Sequence, residues 1–191
     1  MPDKMNGIST YIRIFGVVII SALLLCPGLS LLHASEEGHI RLLEDGEYFP
    51  AFMQAIDGAK SEIVLSFFLF KTNGYSTSYP DRLAAALVRA AERGVRVRII
   101  LERGNGAKRS EVDTSNRETA ARLKKRGIDV RFDSPEITTH TKVAVIDGRY
   151  IFLGSHNLTS SALKYNHELS VVIDSPPLAG ETLDYIDSLH K

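Results

Sequence analysis

The sequence predicts an α/β domain built on a mixed β-sheet, and three observations lead there. Short apolar, β-branched runs alternate with amphipathic runs of helical period between residues 40 and 132. Gly94 and Gly127 each end a helical run just before another strand-like run. Asp147-Gly148 then separates two apolar runs, a short-hairpin signal. Strand–helix alternation implies parallel crossovers first, and the hairpin adds antiparallel strands later.

The elements follow in order. Ile40 to Leu43 reads as a short strand, and Glu47 to Ala59 as a helix with Phe49, Phe52, Met53 and Ile56 on one face. Glu62 to Phe70 is a long apolar strand, expected to be central and covered on both faces. Asp81 to Arg93 forms a helix bracketed by Pro80 and Gly94, with Leu83, Leu87, Ala90 and Ala91 as its buried stripe. Val95 to Leu101 is the next strand. Ser115-x-x-Glu118 has the form of a capping box opening a helix to Arg126, with Gly127 as its stop. Ile128 to Phe132, the hairpin, Glu168 to Asp174 and a helix from Leu178 to Leu189 complete the chain. The loops 71–79, 102–114 and 133–139 are long enough to serve either as rims of a site or as plain linkers.

One constellation carries chemistry: His140-x-Lys142-x4-Asp147-x6-Gly154-Ser155-x-Asn157. Val143 to Ile146 is a strand-forming run, so His140 and Lys142 share one face while Asp147 falls on the other parity at the strand end. Asp147 is therefore read as structural. A small Gly154-Ser155 turn lets backbone N–H groups approach an anion, and Lys142, Asn157 and the Ser155 hydroxyl are suitable phosphoryl donors. Ser155 is equally readable as a turn former. Glu168 is a candidate partner for a ring nitrogen of His140, fixing its tautomer. His156 is assigned to a surface or groove, and His167 is expected to face away from the site.

This pattern resembles the signature of the phospholipase D superfamily, and over about residues 40–191 the chain is similar to its small bacterial single-motif nucleases. The resemblance implies an α/β fold whose mixed central sheet has helices on both faces. It also implies covalent catalysis, in which one His140 attacks phosphorus and a second histidine protonates the leaving oxygen and later activates water. Because the motif occurs once, the second histidine is expected from a second copy, in a homodimer with the active site at its interface. The implied catalytic residues are His140, Lys142 and Glu168, with Lys142, Ser155 and Asn157 on phosphate and Asp147 and Gly154 structural. No cofactor and no metal are expected.

Composition bounds the rest. Residues 1–34 are assigned to a secretory signal peptide or a retained membrane anchor, and 35–191 to the phosphodiesterase domain. Ile14 to Leu32 carries no charge and follows Lys4 and Arg13, so a cleaved signal or a single membrane span both fit, and either exports the domain. Cys26, the one cysteine, lies in that segment, leaving no disulfide and no thiolate metal site beyond it. The formal charge is zero, from 23 basic and 23 acidic residues, which does not argue for nucleic acid. Basic runs at 89–109 and 124–126 read as solvated faces, with a groove of Arg103, Lys108 and Arg109 as the alternative. Three functions compete: a nuclease, a phospholipase D-type lipid phosphodiesterase using residues 14–32 at the membrane, and a catalytically idle binding module. A steep salt dependence of DNA binding marks the first, and activation at lipid interfaces marks the second.

Overall fold

The computed structural model describes residues 39–104 and 110–189. The proposed signal or anchor segment, Cys26, Lys108 and Arg109 lie outside the described residues. Seven strands among the described residues form a single sheet in the order β1-β7-β6-β5-β2-β3-β4. They are β1 (His39–Glu44), β2 (Glu62–Phe67), β3 (Arg96–Leu101), β4 (Asp129–Phe132), β5 (Lys142–Ile146), β6 (Tyr150–Gly154) and β7 (Leu169–Asp174). The helices are α1 (Tyr48–Gly58), α2 (Tyr79–Glu92), α3 (Glu111–Lys124), α4 (Ser160–Lys164) and α5 (Pro176–Ser188). The pairs β2–β3 and β3–β4 are parallel and the remaining neighbours antiparallel, so the sheet is mixed as the sequence predicts.

Alternation along the strands divides the core in two. Ile63, Leu65 and Phe67 of β2 face α1 and α2, where they pack with Phe52, Ile56, Leu83 and Leu87. Val64, Val143, Val145 and Ile151 face the other way and pack with Ala179 and Ile186 of α5. Helices thus cover both faces, and each fully buried Leu or Phe contributes about 1.5–3 kcal/mol relative to exposure. A strand covered on both sides has no polar face, which is why β2 reads as one apolar run.

Several boundaries differ from the sequence reading. β2 ends at Phe67 rather than Phe70, because the chain leaves the ladder there. Phe68 N–H donates to the Thr141 carbonyl and Phe70 N–H to Asn116 Oδ1, leaving Phe70 in an isolated bridge with Leu158. α3 opens at Glu111, not at Ser115. Ser110 is its N-cap and accepts from Asp113 N–H, while Ser115 lies buried inside the helix. A serine–acid pair one turn earlier therefore takes the cap, and the loop expected over 102–114 is shorter. The helix α4 was not foreseen; Thr159 caps it through Ala162 N–H.

The hairpin turns over residues 147–149, since Ile146 pairs with Tyr150. Asp147 and Gly148 have φ of 55° and 59°, the left-handed values that an Asp-Gly turn supplies. Because β5 and β7 run against β2, and β6 with it, the start of β5, the end of β6 and the start of β7 meet at the C-terminal end of β2 and β3. Ligand sites of open α/β sheets gather at that end.

Candidate active site

His140 stands just before β5 with its side chain exposed, its ring centroid 4.5 Å from that of Phe68. Lys142 opens β5 and is only 8% exposed. Its Nζ donates to the His140 carbonyl at 3.0 Å, lies 3.3 Å from His140 Nδ1 and sits 5.0 Å over the Phe68 ring. Burial lowers the Lys142 pKa, and the negative charge of Glu168 opposes that shift. An ammonium has no lone pair, so Nδ1 is the acceptor in this contact, and the proton of a neutral ring resides on Nε2.

Gly154 ends β6 opposite Ser170 of β7. A Cβ at Gly154 would fall 2.4 Å from the Ser170 Cα, so only glycine allows the strands this approach. Ser155 follows. Its hydroxyl donates to Glu168 Oε2 and accepts from Leu169 N–H at 3.1 Å. In this arrangement Ser155 holds Glu168 instead of presenting a free donor. Asn157 has a buried Oδ1 that meets no hydrogen-bond donor among the described residues.

Glu168 accepts from Ser155 and, through Oε1, from Asn166 Nδ2 at 3.0 Å. Among the described residues no hydrogen bond joins it to His140 of the same chain. Its own N–H donates to Asp45 Oδ1 at 2.7 Å, and Asp45 N–H donates back to the Glu168 carbonyl at 2.9 Å. Asp45 adopts a left-handed φ of 45° to make both contacts. The exposed His167 ring meets Asp45 Oδ2 at 2.9 Å and raises its own pKa by that bond.

Asp147 lies at the far end of β5 from Lys142. It accepts from the N–H groups of Lys60, Ser61 and Glu62 at 2.8–3.1 Å and from the Ser61 hydroxyl at 2.9 Å. Burial alone would raise its pKa, but those backbone donors together hold it below the usual carboxylate value. Its work is to tie the hairpin to the start of β2.

His156 departs from the sequence reading, which put it on a surface or groove. It is 1% exposed and stacked on Tyr48 with ring centroids 4.3 Å apart. Nε2 donates to the Asp45 carbonyl at 3.0 Å and Nδ1 accepts from the Ser170 hydroxyl at 2.7 Å, which together describe one neutral tautomer. The position between Ser155 and Asn157 turns inward because β6 has just ended, and the polar ring needs both partners to be buried. Asp45, Phe68, Glu102, Asp133 and Ser170 also border the site and carried no motif. An acidic residue directly after each of two apolar strands, Glu102 and Asp133, was the one available signal. Among the described residues of the basic run, Arg89, Arg96 and Arg98 are engaged elsewhere, in the pairs Arg89–Asp57, Arg96–Glu62 and Arg98–Asp187.

Comparison with known proteins agrees with this geometry. The family model described as cardiolipin synthase, PLD-like domain, matches residues 52–190. Cardiolipin synthase B of Shigella flexneri is 35% identical over 132 residues, covering 65% of this chain and 31% of that protein. Phospholipase D of Rickettsia conorii is 34% identical over 97 residues, 51% of this chain and 45% of that one. The chain thus spans less than half the length of either relative. Among solved structures, Nuc of Salmonella typhimurium, a phospholipase D family member, superposes with a TM-score of 0.66 at 28% identity, over 80% of this chain and 94% of that one. A family model matched across most of the domain, together with this shared fold, shows that the chain belongs to the phospholipase D superfamily.

Proposed function

We propose that this protein is a homodimeric phosphodiesterase that hydrolyses nucleic acid through a phosphohistidine. The observation that carries the reading is the convergence of His140, Lys142, Ser155, Asn157 and Glu168 at one end of the sheet, with no hydrogen bond from His140 to a carboxylate among the described residues. The Lys142 contact makes Nδ1 an acceptor and leaves the proton of the neutral ring on Nε2, whereas the leaving-group acid is an imidazolium protonated on both nitrogens, so this single copy is set for neither role. A nucleophilic histidine needs the opposite tautomer, with a carboxylate at Nδ1. Glu168 makes no hydrogen bond to His140 of its own chain among the described residues, and each of its oxygens keeps a lone pair beyond the bonds from Ser155 and Asn166, so a second copy is the natural source of both the second histidine and the carboxylate.

The surface supports that copy. Ile40, Leu42, Leu153 and Leu169 share the sheet face of α5 yet are 67%, 54%, 46% and 54% exposed. An apolar patch of this kind marks an interface. In the reaction, Nε2 of one His140 bonds to phosphorus as the P–O bond breaks, and the leaving oxygen takes the proton of the other. That second histidine then removes a proton from water, which attacks phosphorus and frees the first. Lys142 and Asn157 hold the phosphoryl oxygens. Export through residues 14–32 belongs to the same proposal.

The nuclease class is favoured because the match runs through almost all of Nuc but only a third of cardiolipin synthase B. One observation favours a lipid substrate instead. A cleft of about 420 Å³ beside His140 is lined by Val143, Leu153, Ile173, Leu178 and Tyr185, side chains that suit acyl chains. A parallel assay separates the two, with wild type and His140→Ala on plasmid DNA, single-stranded DNA, RNA and phosphatidylcholine vesicles, all in EDTA. The expected outcome is nucleic-acid cleavage that His140→Ala abolishes and EDTA spares. Head-group release with DNA untouched would move the protein to the lipid enzymes, and loss of activity in EDTA would end the metal-free mechanism.

A further inference from the structure

Glu102 and Asp133 follow directly on β3 and β4, and the register that pairs Leu101 with Phe132 sets them side by side. They are 5% and 3% exposed. Glu102 Oε1 accepts from Gly104 N–H at 2.8 Å and Oε2 from Thr139 N–H at 2.6 Å. Asp133 Oδ1 accepts from Arg103 N–H at 2.7 Å, and its Oδ2 is enclosed without a donor. Three of the four carboxylate oxygens are therefore matched to backbone N–H groups, and the fourth meets no donor among the described residues. Two adjacent buried carboxylates cannot both ionise at low cost. Burial first, and Asp133 second, push the Glu102 pKa up.

The bond to Thr139 gives this pair a role. His140 is exposed and its ring meets only Phe68 and Lys142 Nζ among the described residues, so the backbone on either side must fix its approach. On one side Thr141 accepts from Phe68 N–H at 2.8 Å, and its hydroxyl meets that of Ser66 at 2.7 Å. On the other side Glu102 holds the amide one residue before His140. From α3, the fully buried Asn116 donates to the Glu102 carbonyl at 2.9 Å and accepts from Phe70 N–H, tying the acid to the segment that follows β2.

We infer that Glu102 and Asp133 share a single proton, and that this acid pair is the anchor that sets the position of His140. Glu102 is a positioning residue: it touches the backbone before His140 and acts through that histidine. Among the described residues, titratable and charged groups close on it from β4, α3 and the turn before β5, beside its own neighbour Arg103. Asp133 faces it from the end of β4, Asp113 of α3 is paired with Arg117 at 2.8 Å, and His140 lies one residue past the anchored amide. The proton sits between Asp133 Oδ2 and Glu102. When it leaves, the two charges repel and the hold on Thr139 loosens.

The inference rests on the phosphodiesterase reading for its catalytic consequence, and its test separates the two. The two obvious variants are expected to behave differently. Asp133→Asn places an amide N–H where the shared proton lies and leaves Glu102 both of its backbone donors. Glu102→Gln turns an amide nitrogen towards one of those donors and breaks the anchor. In the full chain, Asp133→Asn is expected to keep kcat within about threefold, whereas Glu102→Gln loses roughly ten- to a hundredfold in kcat with KM little changed. Hydrogen exchange at the Thr139 amide is expected to stay slow in wild type and Asp133→Asn and to become fast in Glu102→Gln.

The pH dependence of Tm is a further readout, measured in a His140→Ala background. A folded-state acid with a raised pKa keeps a proton that the unfolded chain has released. Its stabilisation is present below the ordinary value of 4.5 and is lost as pH rises to the raised one. Asp133→Asn is expected to remove that decline. Equal impairment of the two variants, an unchanged Tm slope in Asp133→Asn, or a Thr139 amide indifferent to Glu102→Gln would overturn the inference. Absence of hydrolysis in wild type, with the exchange and Tm results intact, would sink the enzymatic reading and leave the anchor standing.

Discussion

At the scale of single residues, His156 separates what a motif names from what a fold requires. It occupies the unspecified position between Ser155 and Asn157, yet it is among the most buried polar groups of the domain. Burial is the main cause that lowers its pKa, with the Asp45 carbonyl opposing. The sign follows: above the ordinary value of 6.5 the neutral ring costs nothing, and below it the unfolded chain gains a proton that the folded ring refuses. Tm is therefore expected to fall as pH drops below 6.5, by up to about 1.4 kcal/mol per pH unit in stability. His167 acts in the opposite sense, since Asp45 raises its pKa and its contribution is present at low pH. A His156→Gln comparison isolates the first effect, for the variant is expected to be less stable at neutral pH and to lose the acid slope. An acid slope identical to wild type would assign the loss to other groups.

At the scale of elements, the start of α3 shows how local patterns compete. Ser110 and Ser115 each stand three residues ahead of an acidic residue, and only the first becomes a cap. The deciding contacts are tertiary. Asn116 and Thr119 must reach Phe70 and Thr72 from inside the helix, which requires residues 111–115 to be helical already. Replacing Ser110 by alanine is expected to cost about 1 kcal/mol, read as a shift in denaturant midpoint at constant slope. Replacing Ser115 by alanine is expected to stay within about 0.5 kcal/mol, because alanine favours the helix interior. The reverse order would show that the cap has been misplaced. The Asp147-Gly148 turn was legible without tertiary help, since positive φ at both positions is a property of those two residues.

At the scale of the molecule, the proposed reaction asks more of this chain than one copy holds. Specific activity is expected to rise with protein concentration and to level off where sedimentation shows a dimer. Replacing Leu42 and Leu153 together by glutamate is expected to shift that transition to higher concentration and to lower activity in step, by the loss of buried apolar contact. Full activity in a proven monomer would remove the shared site. A dimer of this kind also predicts a bell-shaped dependence of kcat on pH, since one His140 must be neutral while the other carries a proton.

The sequence alone determined the order of the strands and of every helix but α4, the reversal at Asp147-Gly148 and the identity of the motif residues. These are set by periodicity, by turn conformation and by side-chain chemistry, all of which act over a few residues. Only the tertiary structure decided which residues support that motif. Ser155 turning to Glu168, His156 turning into the core, and Glu102 reaching Thr139 from 37 residues away depend on strand order in the sheet. Strand neighbours β3, β2, β5, β6 and β7 come from distant parts of the chain, and their meeting at one edge is what gathers the site. Local preference cannot encode such contacts, because each is stabilised only once the whole sheet has closed around it.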